Sequence, residues 1–386
     1  MFSRRKQMKT LFKRFEVLED PRDIRGKKYK LIDILIMTIY GILCGLTDFT
    51  NIADFLKLKE EYFTNLLNLE NGTPSHDCLS DVFAVIDSKK FMSIFIEWTK
   101  ELIEKKEDKN ISIDGKAVKS ATDRINGGNT PYIVSAFLGD IGLSIGQVKV
   151  DEKSNEITAI PELLDLIDIT GAHITIDAIG TQEKITKKIV EKKGHYVLKV
   201  KENQKELLKE VKRYFEGMNN LKAHKDIEYK LSEDKKNHGR EEKRSYYLSY
   251  DVSGIKDKNK WETVKAIAYV RVERTVEDET SITDNYYIID YKIDIDKLEE
   301  VIRDHWKIEC GLHWRLDVIL DEDHSRNRIG NSINNLAIVR KIAFNLANQD
   351  MSFGNKKMPL QRKLTRYMLD FKNIERLIFE VIPSIS

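Results

Sequence analysis

Residues 110–118 read NISIDGKAV, and residues 173–181 read HITIDAIGT. Both contain the figure Ile-Ser/Thr-Ile-Asp, an alternating run that arrives at an aspartate, Asp114 in the first and Asp177 in the second. Successive side chains of a strand point to opposite faces. Ile111 and Ile113 therefore share one face, with Ser112 and Asp114 on the other. Ile174 and Ile176 likewise oppose Thr175 and Asp177. If the two strands are neighbours, the carboxylates meet at one place on the sheet. Two bare carboxylates that close repel each other and resist joint ionisation, a conflict that a shared divalent cation removes. The ordinary alternative is that Asp177 caps the following helix and Asp114 pairs with Lys116 or an arginine.

The flanking sequence has the same β texture. ISIDGKAV, PYIVSAFLGD and GLSIGQVKVD predict three consecutive antiparallel strands separated by turn residues. IPELLDLIDI predicts a short helix with Pro161 near its first turn. HITIDAI predicts a strand, TQEKITKKIVEKKG a helix ended by Gly194, and HYVLKVK another strand. The order β-β-β-α-β-α-β implies a mixed α/β fold, a sheet covered by helices. Residues 8–105 have helical spacing, as in Phe91, Ile94, Phe95, Trp98 and Leu102, and Ser75 or Asp77 is an N-cap candidate. The run EKKEDKN puts a boundary near residue 106. Residues 205–295 read as a short helix followed by β runs, a separable insertion that does not complete the sheet bearing Asp114. Helical character returns in KLEEVIRDHWKIECGLHWRLDVIL and NSINNLAIVRKIAFNLANQ. The division is 1–105, 106–204, 205–295, 296–350 and 351–386.

Composition narrows the function classes. With 41% apolar and 33% charged residues, the chain of 386 residues reads as folded and polar-surfaced rather than disordered. Cys44, Cys78 and Cys310 stand far apart, which argues against a disulfide framework or a cysteine zinc site and suits a reducing cytoplasm. Ile34–Thr47 is free of charge over only about 14 residues, short of the roughly 20 that span a bilayer, so a buried helix is expected and no membrane partner. The basic N-terminus has no apolar signal core. The net charge of +2 hides an asymmetry: residues 1–30 carry eleven Lys/Arg and four Asp/Glu, +7, which leaves the remainder at −5. A basic arm suits phosphate-backbone contact; a solvated terminus is the alternative.

Hard cations held by oxygen need a third acid. Glu309 lies in RDHWKIECGLHWRLD, with His305 at i−4 and His313 at i+4. That spacing also suits a His-Glu-His zinc site, though two aspartates without cysteine favour magnesium or manganese. Asp317, Asp321, Glu322 and Asp323 compete with Glu309 on spacing alone. Trp98 reads as core, Trp306 and Trp314 as packing under the helix of Glu309, and Trp261 as sheet packing.

The stretches ISIDGKAVKSA, VSAFLGDIGLSIGQVKVDEKSNEITAIPELLDLIDITGAHITIDAIGTQ, YVLKVKENQ, HGREEKR and RDHWKIECGLHWRLDVILDEDHSR closely resemble insertion-sequence transposases of the H-repeat-associated, ISAs type. DPRDIRGKKYKLIDILIMTIYGILCG and GTPSHDCLSDVF extend the resemblance to the N-terminus. It implies a ribonuclease-H-like catalytic core with an N-terminal helical domain and a β-rich insertion before the last catalytic helix. It also implies an Asp114, Asp177, Glu309 triad holding two magnesium ions, with manganese as a substitute. The implied activity is metal-dependent hydrolysis at transposon ends and strand transfer into target DNA, by copies assembled as a dimer or larger oligomer on double-stranded DNA, in the cytoplasm at the nucleoid. A domesticated or inactive DNA-binding descendant, or a nuclease, is the alternative. Cys310, Tyr132, His305 and Leu316 stand where such proteins often have Asn, His, Arg and Lys. Candidate DNA contacts are Lys116, Lys199 and Lys201 after the aspartate-bearing strands, His238, Arg240 and Arg244 in HGREEKR, and His305 and Arg315 around Glu309. For the lysines a solvated surface role is the alternative.

Overall fold

The computed structural model describes residues 11–379 other than 24, 26, 104–105, 123–129, 151–154, 219, 237–239, 278 and 355–357. It opens with helices α1 (Leu11–Phe15), α2 (Leu31–Leu43), α3 (Phe49–Leu58), α4 (Glu60–Leu67), α5 (His76–Val85) and α6 (Ser88–Ile103). Strands β1 (Asn110–Ala117), β2 (Tyr132–Leu138) and β3 (Leu143–Val150) follow. Next come α7 (Glu156–Leu166), β4 (His173–Ile176), α8 (Glu183–Glu191), β5 (His195–Val200) and α9 (Lys205–Glu216). Strands β6 (Glu228–Lys236), β7 (Arg240–Ser249), β8 (Ala266–Val276) and β9 (Glu279–Ile289) lead to α10 (Ile295–Lys307). A π turn (Ile308–His313), α11 (Trp314–Val318), α12 (Ser332–Gln349), α13 (Leu360–Leu369) and α14 (Lys372–Phe379) complete it.

The chain forms two compact units, each from separate stretches. The first takes Met1–Lys106, Gly115–Asn155 and Glu309–Ser386. Its centre is α12, whose residues from Leu336 to Ala347 are all buried, Arg340 and Lys341 included. Such an all-round buried helix needs neighbours on every side, and α2 is one, with Leu31 and Asp33–Leu43 buried. The charge-free stretch is therefore a core helix, as its length predicts. Ser75 caps α5 by accepting the Cys78 N–H at 3.3 Å. The basic arm is not a free tether beyond residue 10: Leu11, Phe12 and Phe15 are buried. Residues 1–10 lie outside the described residues. The strands of this unit run in the order β3-β2-β1, with β2 and β3 antiparallel.

The second unit takes Glu107–Asp114 and Glu156–Ile308. Its strand order is β1-β4-β5-β9-β8-β7-β6. β1 and β4 are parallel, as are β4 and β5. Pro161 falls inside α7 rather than near its start, because the helix begins at Glu156. The chain turns after α8 at Lys193, with φ 59°, rather than at Gly194.

The strands of the insertion correct the expectation of a separate sheet. β9 pairs antiparallel with β5, from Val197↔Ile289 to Val200↔Tyr286, so they extend the sheet that carries Asp114. An unpaired β5 would leave a row of exposed N–H and C=O groups, and β9 covers it. One face of this extension buries Val197, Leu248, Ala266, Ala268 and Ile289 against Leu298 and Val301 of α10. On the opposite face, Tyr229, Tyr247, Tyr269 and Tyr286 stand directly opposite one another across four strands, with ring centroids 5.1–5.2 Å apart. Phe215 of α9 packs against Tyr269. Reading the strands of the two units in turn, the first five follow the order β3-β2-β1-β4-β5 of a ribonuclease-H-like fold.

Candidate active site

β1 and β4 pair in the register Asn110↔His173, Ile111↔Ile174, Ser112↔Thr175 and Ile113↔Ile176. Asp114 is the next residue on β1, and Asp177 is the first residue past β4. The four isoleucines are buried, which fixes the register, since a slip of one residue would turn them all to the other face. Ser112 and Thr175 share the face of the aspartates, and α10 lies across it. Asn110 Nδ2 donates to Glu300 at 2.7 Å and to Asp304 at 3.0 Å. The Ser112 hydroxyl donates to the Asp304 carbonyl at 3.3 Å, and the Thr175 hydroxyl donates to Ser112 Oγ at 3.3 Å. His305 Nδ1 lies 3.0 Å from Thr175 Oγ1. Because a carbonyl only accepts, the chain has one direction: Nδ1 carries the proton, and Nε2 keeps its lone pair when the ring is neutral. Burial lowers the pKa of His305 and the carboxylates of Asp114 and Asp177 raise it, burial prevailing. Lys199 and Lys201 also act to lower it.

Asp177 Oδ1 accepts the Ala178 N–H at 2.7 Å and lies 3.3 Å from Lys201 Nζ. Burial raises its pKa, but this hydrogen bond and the ammonium outweigh it and hold the carboxyl below its ordinary value. The capping role weighed in the sequence is therefore present as well. It leaves the side chain about half exposed, 52%.

Glu309 is exposed and sits in the π turn that follows α10. Such turns insert a residue into a helix and recur at functional sites. Ile308 and Leu312 anchor it, both fully buried. Gly311 meets the ring of Phe137, where an added Cβ would stand 3.3 Å from the ring. Among the described residues no group of three or more His, Cys, Asp or Glu is arranged to hold a metal ion, a His305-Glu309-His313 zinc site included.

The candidate DNA contacts scatter. Lys199 lies on β5 and Lys201 just beyond it. Lys116 is enclosed by acids, pairing with Asp317 and, at 2.7 Å, with Glu322. Arg244 pairs with Glu242 and, at 3.4 Å, with Asp234. Arg240 opens β7, and His238 lies outside the described residues. Arg315 donates to Asn348 at 3.1 Å. Trp306 and Trp314 do not pack under the helix of Glu309: they are 62% and 53% exposed. Trp98 and Trp261 are buried, Trp261 in the turns before β8. The sequence reading missed the enclosure of Lys116. Its only trace was the acid-rich run LDVILDED, in which Asp317, Glu322 and Asp323 stood as rivals to Glu309.

The strand order and the paired aspartates define a protein of the ribonuclease-H-like class. Within that class the chain belongs to the DDE transposases. Residues 107–346 match the Transposase DDE domain, and residues 12–99 match the family described as DDE_Tnp_1-associated. The chain is 34% identical over 369 residues to the Putative protein YbfL of Escherichia coli (strain K12), covering 94% of this chain and 96% of that protein. The figures are the same for the H repeat-associated putative transposase YhhI of that strain. The H repeat-associated putative transposase YbfD, also of that strain, is 37% identical over 242 residues, covering 63% of this chain and 94% of that protein. Membership of this family implies use of a divalent metal and action on DNA. Among the described residues no helix is long and apolar enough to cross a membrane.

Proposed function

We propose that Asp114, Asp177 and Glu309 act together as the catalytic and metal-holding triad of this transposase. The observation that supports the reading is the register of β1 and β4, in which Ile113 and Ile176, the residues just before the two aspartates, stand opposite each other. The donor set fits a hard cation: carboxylate oxygens without cysteine, one of them already held anionic by its neighbours. Magnesium, two ions per site, is the assignment, with manganese as a substitute. A bound divalent cation neutralises phosphate charge and makes an attacking water more acidic.

The chain's own residues do the positioning. Asp114 and Asp177 present oxygen ligands from rigid strands, and Glu309 presents a third from its π turn. Lys199 and Lys201 orient the phosphate being attacked, Lys201 exchanging its contact with Asp177 for one with DNA. His305, half-buried and hydrogen-bonded to Thr175, keeps the carboxylates aligned. In the first step a water oxygen bonds to phosphorus at the transposon end, and the 3′-oxygen leaves as a hydroxyl. In the second that hydroxyl attacks a target phosphodiester, one P–O bond forms as another breaks, and a target 3′-hydroxyl is released. Neither step needs a nucleotide, so catalysis is placement and charge neutralisation. Two ends are joined, so two or more copies assemble on the DNA. The insertion strands support α10 and hold DNA near it, and the work is done at the nucleoid.

The test is a labelled transposon-end duplex with magnesium, scored for nicking and for joining. Asp177→Asn, Asp114→Asn and Glu309→Gln should bind it about as well as the parent and neither nick nor join it. Cleavage at the parental rate by any one of them removes that residue from the triad.

A further inference from the structure

Lys116 stands two residues past Asp114, where the sequence pattern offers a cation to a phosphate. The structure assigns it another task, and this inference rests on the triad reading above: Lys116 is a positioning residue. It is the key of a buried charge cage that clamps the stretch following Asp114 onto the stretch following Glu309.

All parts of the cage lie in the first unit. The Lys116 side chain is only 10% exposed. Its ammonium pairs with Asp317 of α11 and with Glu322 at 2.7 Å, and lies 3.9 Å from Asp323. Lys119 closes Asp323 from the exposed side at 3.1 Å. Behind Glu322, which is almost fully buried, stand Arg340 and Lys341 of α12, also buried. Lys341 Nζ donates to Gln147 Oε1 of β3 at 2.6 Å, and Gln147 Nε2 donates to Asn334 Oδ1 at 2.6 Å. Arg340 donates to the Thr47 carbonyl at 2.8 Å. Burial would raise the carboxyl of Glu322, yet Lys341, Lys116 and Arg340 hold it at about 2.

An interior ion network is a poor source of stability, because desolvation consumes most of the attraction. Apolar residues of equal volume would pack at least as well. What the network adds is direction, since these partners meet in one arrangement only. Here that arrangement fixes the register of two segments. Lys116 is the second residue after Asp114, and Asp317 the eighth after Glu309. A lysine meant for DNA would stay exposed with few partners. Lys116 instead spends its charge on acids of its own chain.

The experiment compares the full-length parent, Lys116→Met, the double variant Lys116→Met/Glu322→Gln, and Asp114→Asn. End-duplex affinity is measured across salt, and single-turnover cleavage at saturating DNA. Lys116→Met should bind within about twofold of the parent with the same salt slope, and cleave on the order of 100-fold slower, the scale of a small misplacement of reacting groups. The double variant removes the Lys116–Glu322 pair together, leaving the other charges of the cage in place, and should regain about tenfold of that loss, a coupling that independent sites do not produce. A slope of log K against log salt shallower by about one would make Lys116 a phosphate contact and overturn the inference, as would cleavage by Lys116→Met at the parental rate. If Lys116→Met does not fold, the double variant decides: folded, with the parental slope and cleavage within about tenfold of the parent, it upholds the cage, and otherwise it overturns it. If Asp114→Asn cleaves like the parent, the triad falls by itself. Slowed cleavage with an unchanged slope in Lys116→Met would still uphold the positioning role, and a shallower slope would still end it.

Discussion

Two sets of acids in this chain are treated in opposite ways. Asp114 lies within β1 and Asp177 directly follows the neighbouring β4, and Asp177 is half exposed with one ammonium at 3.3 Å. Asp317, Glu322 and Asp323 follow the π turn and are drawn inward around Lys116, with Arg340 and Lys341 behind Glu322. Of the first pair, Asp177 is held anionic by its neighbours and is half exposed. The second set has its counter-ions inside the fold. Composition does not tell the two apart, since all are carboxylates. The difference between Asp177 and Glu322 is how many cations of the chain reach each one.

The contrast breaks most visibly in activity. Asp177→Asn should lower end cleavage on the order of 10³-fold or more, the scale of losing one element of charge stabilisation in phosphoryl transfer. Its unfolding free energy should drop by about 1 kcal/mol or less, the worth of an exposed pair, as read by chemical denaturation. Glu322→Gln should do the reverse in kind. It leaves Lys116 and Lys341 buried without their shared anion and should cost about 3–5 kcal/mol of stability, read as a fall in the denaturant midpoint. Equal stability of the two variants would erase the distinction drawn here.

Acid titration sharpens the same contrast. Glu322 is held at about 2 against an ordinary 4.5. A carboxyl lowered on folding contributes stability in full above its unfolded value, and that contribution disappears as pH falls through the folded one. The parent should therefore lose stability from about pH 4.5 down to about pH 2, and Glu322→Gln should lose less over that window in pH-dependent denaturation. Equal slopes would mean the cage does not hold the carboxyl low. The smallest effects belong to exposed cations. Lys201→Ala should reduce the salt slope of end binding by about one and leave the melting temperature nearly unchanged. Deletion of residues 1–10, which carry Arg4, Arg5, Lys6 and Lys9, should flatten that slope further. Deletion of 1–30 would also remove buried Phe12 and Phe15 and should unfold the helices around them.

The parts of the fold readable in the sequence were those governed by local period. The alternation in ISID and ITID predicted both strands and the shared face of the two aspartates, and the charge-free run predicted α2 as core. Long-range choices left no such mark. Nothing in YVLKV says which strand completes its edge, so the attachment of β9 to β5 was missed, and with it the support that the insertion gives α10. The burial of Lys116 depends on acids that lie 201 to 207 positions further along the chain. The π turn at Glu309 is a shift in backbone hydrogen bonding to which only Gly311 hints. Trp306 and Trp314 were misjudged because aromatic bulk normally signals burial, whereas both are exposed.

The pairing of β5 with β9 also bears on how the protein is made. β5 ends at Val200, but its outer neighbour is complete only at Ile289. At about 5–20 residues per second the ribosome needs roughly 5–20 s to deliver the intervening chain. During that interval β5 presents an open edge, a template on which a second nascent chain can add. Charges along such an edge act as gatekeepers against aggregation. Lys199 lies on that edge and Lys201 just past it, so the residues read here as phosphate contacts in the finished protein also stand where gatekeeper charges would act in the half-made chain.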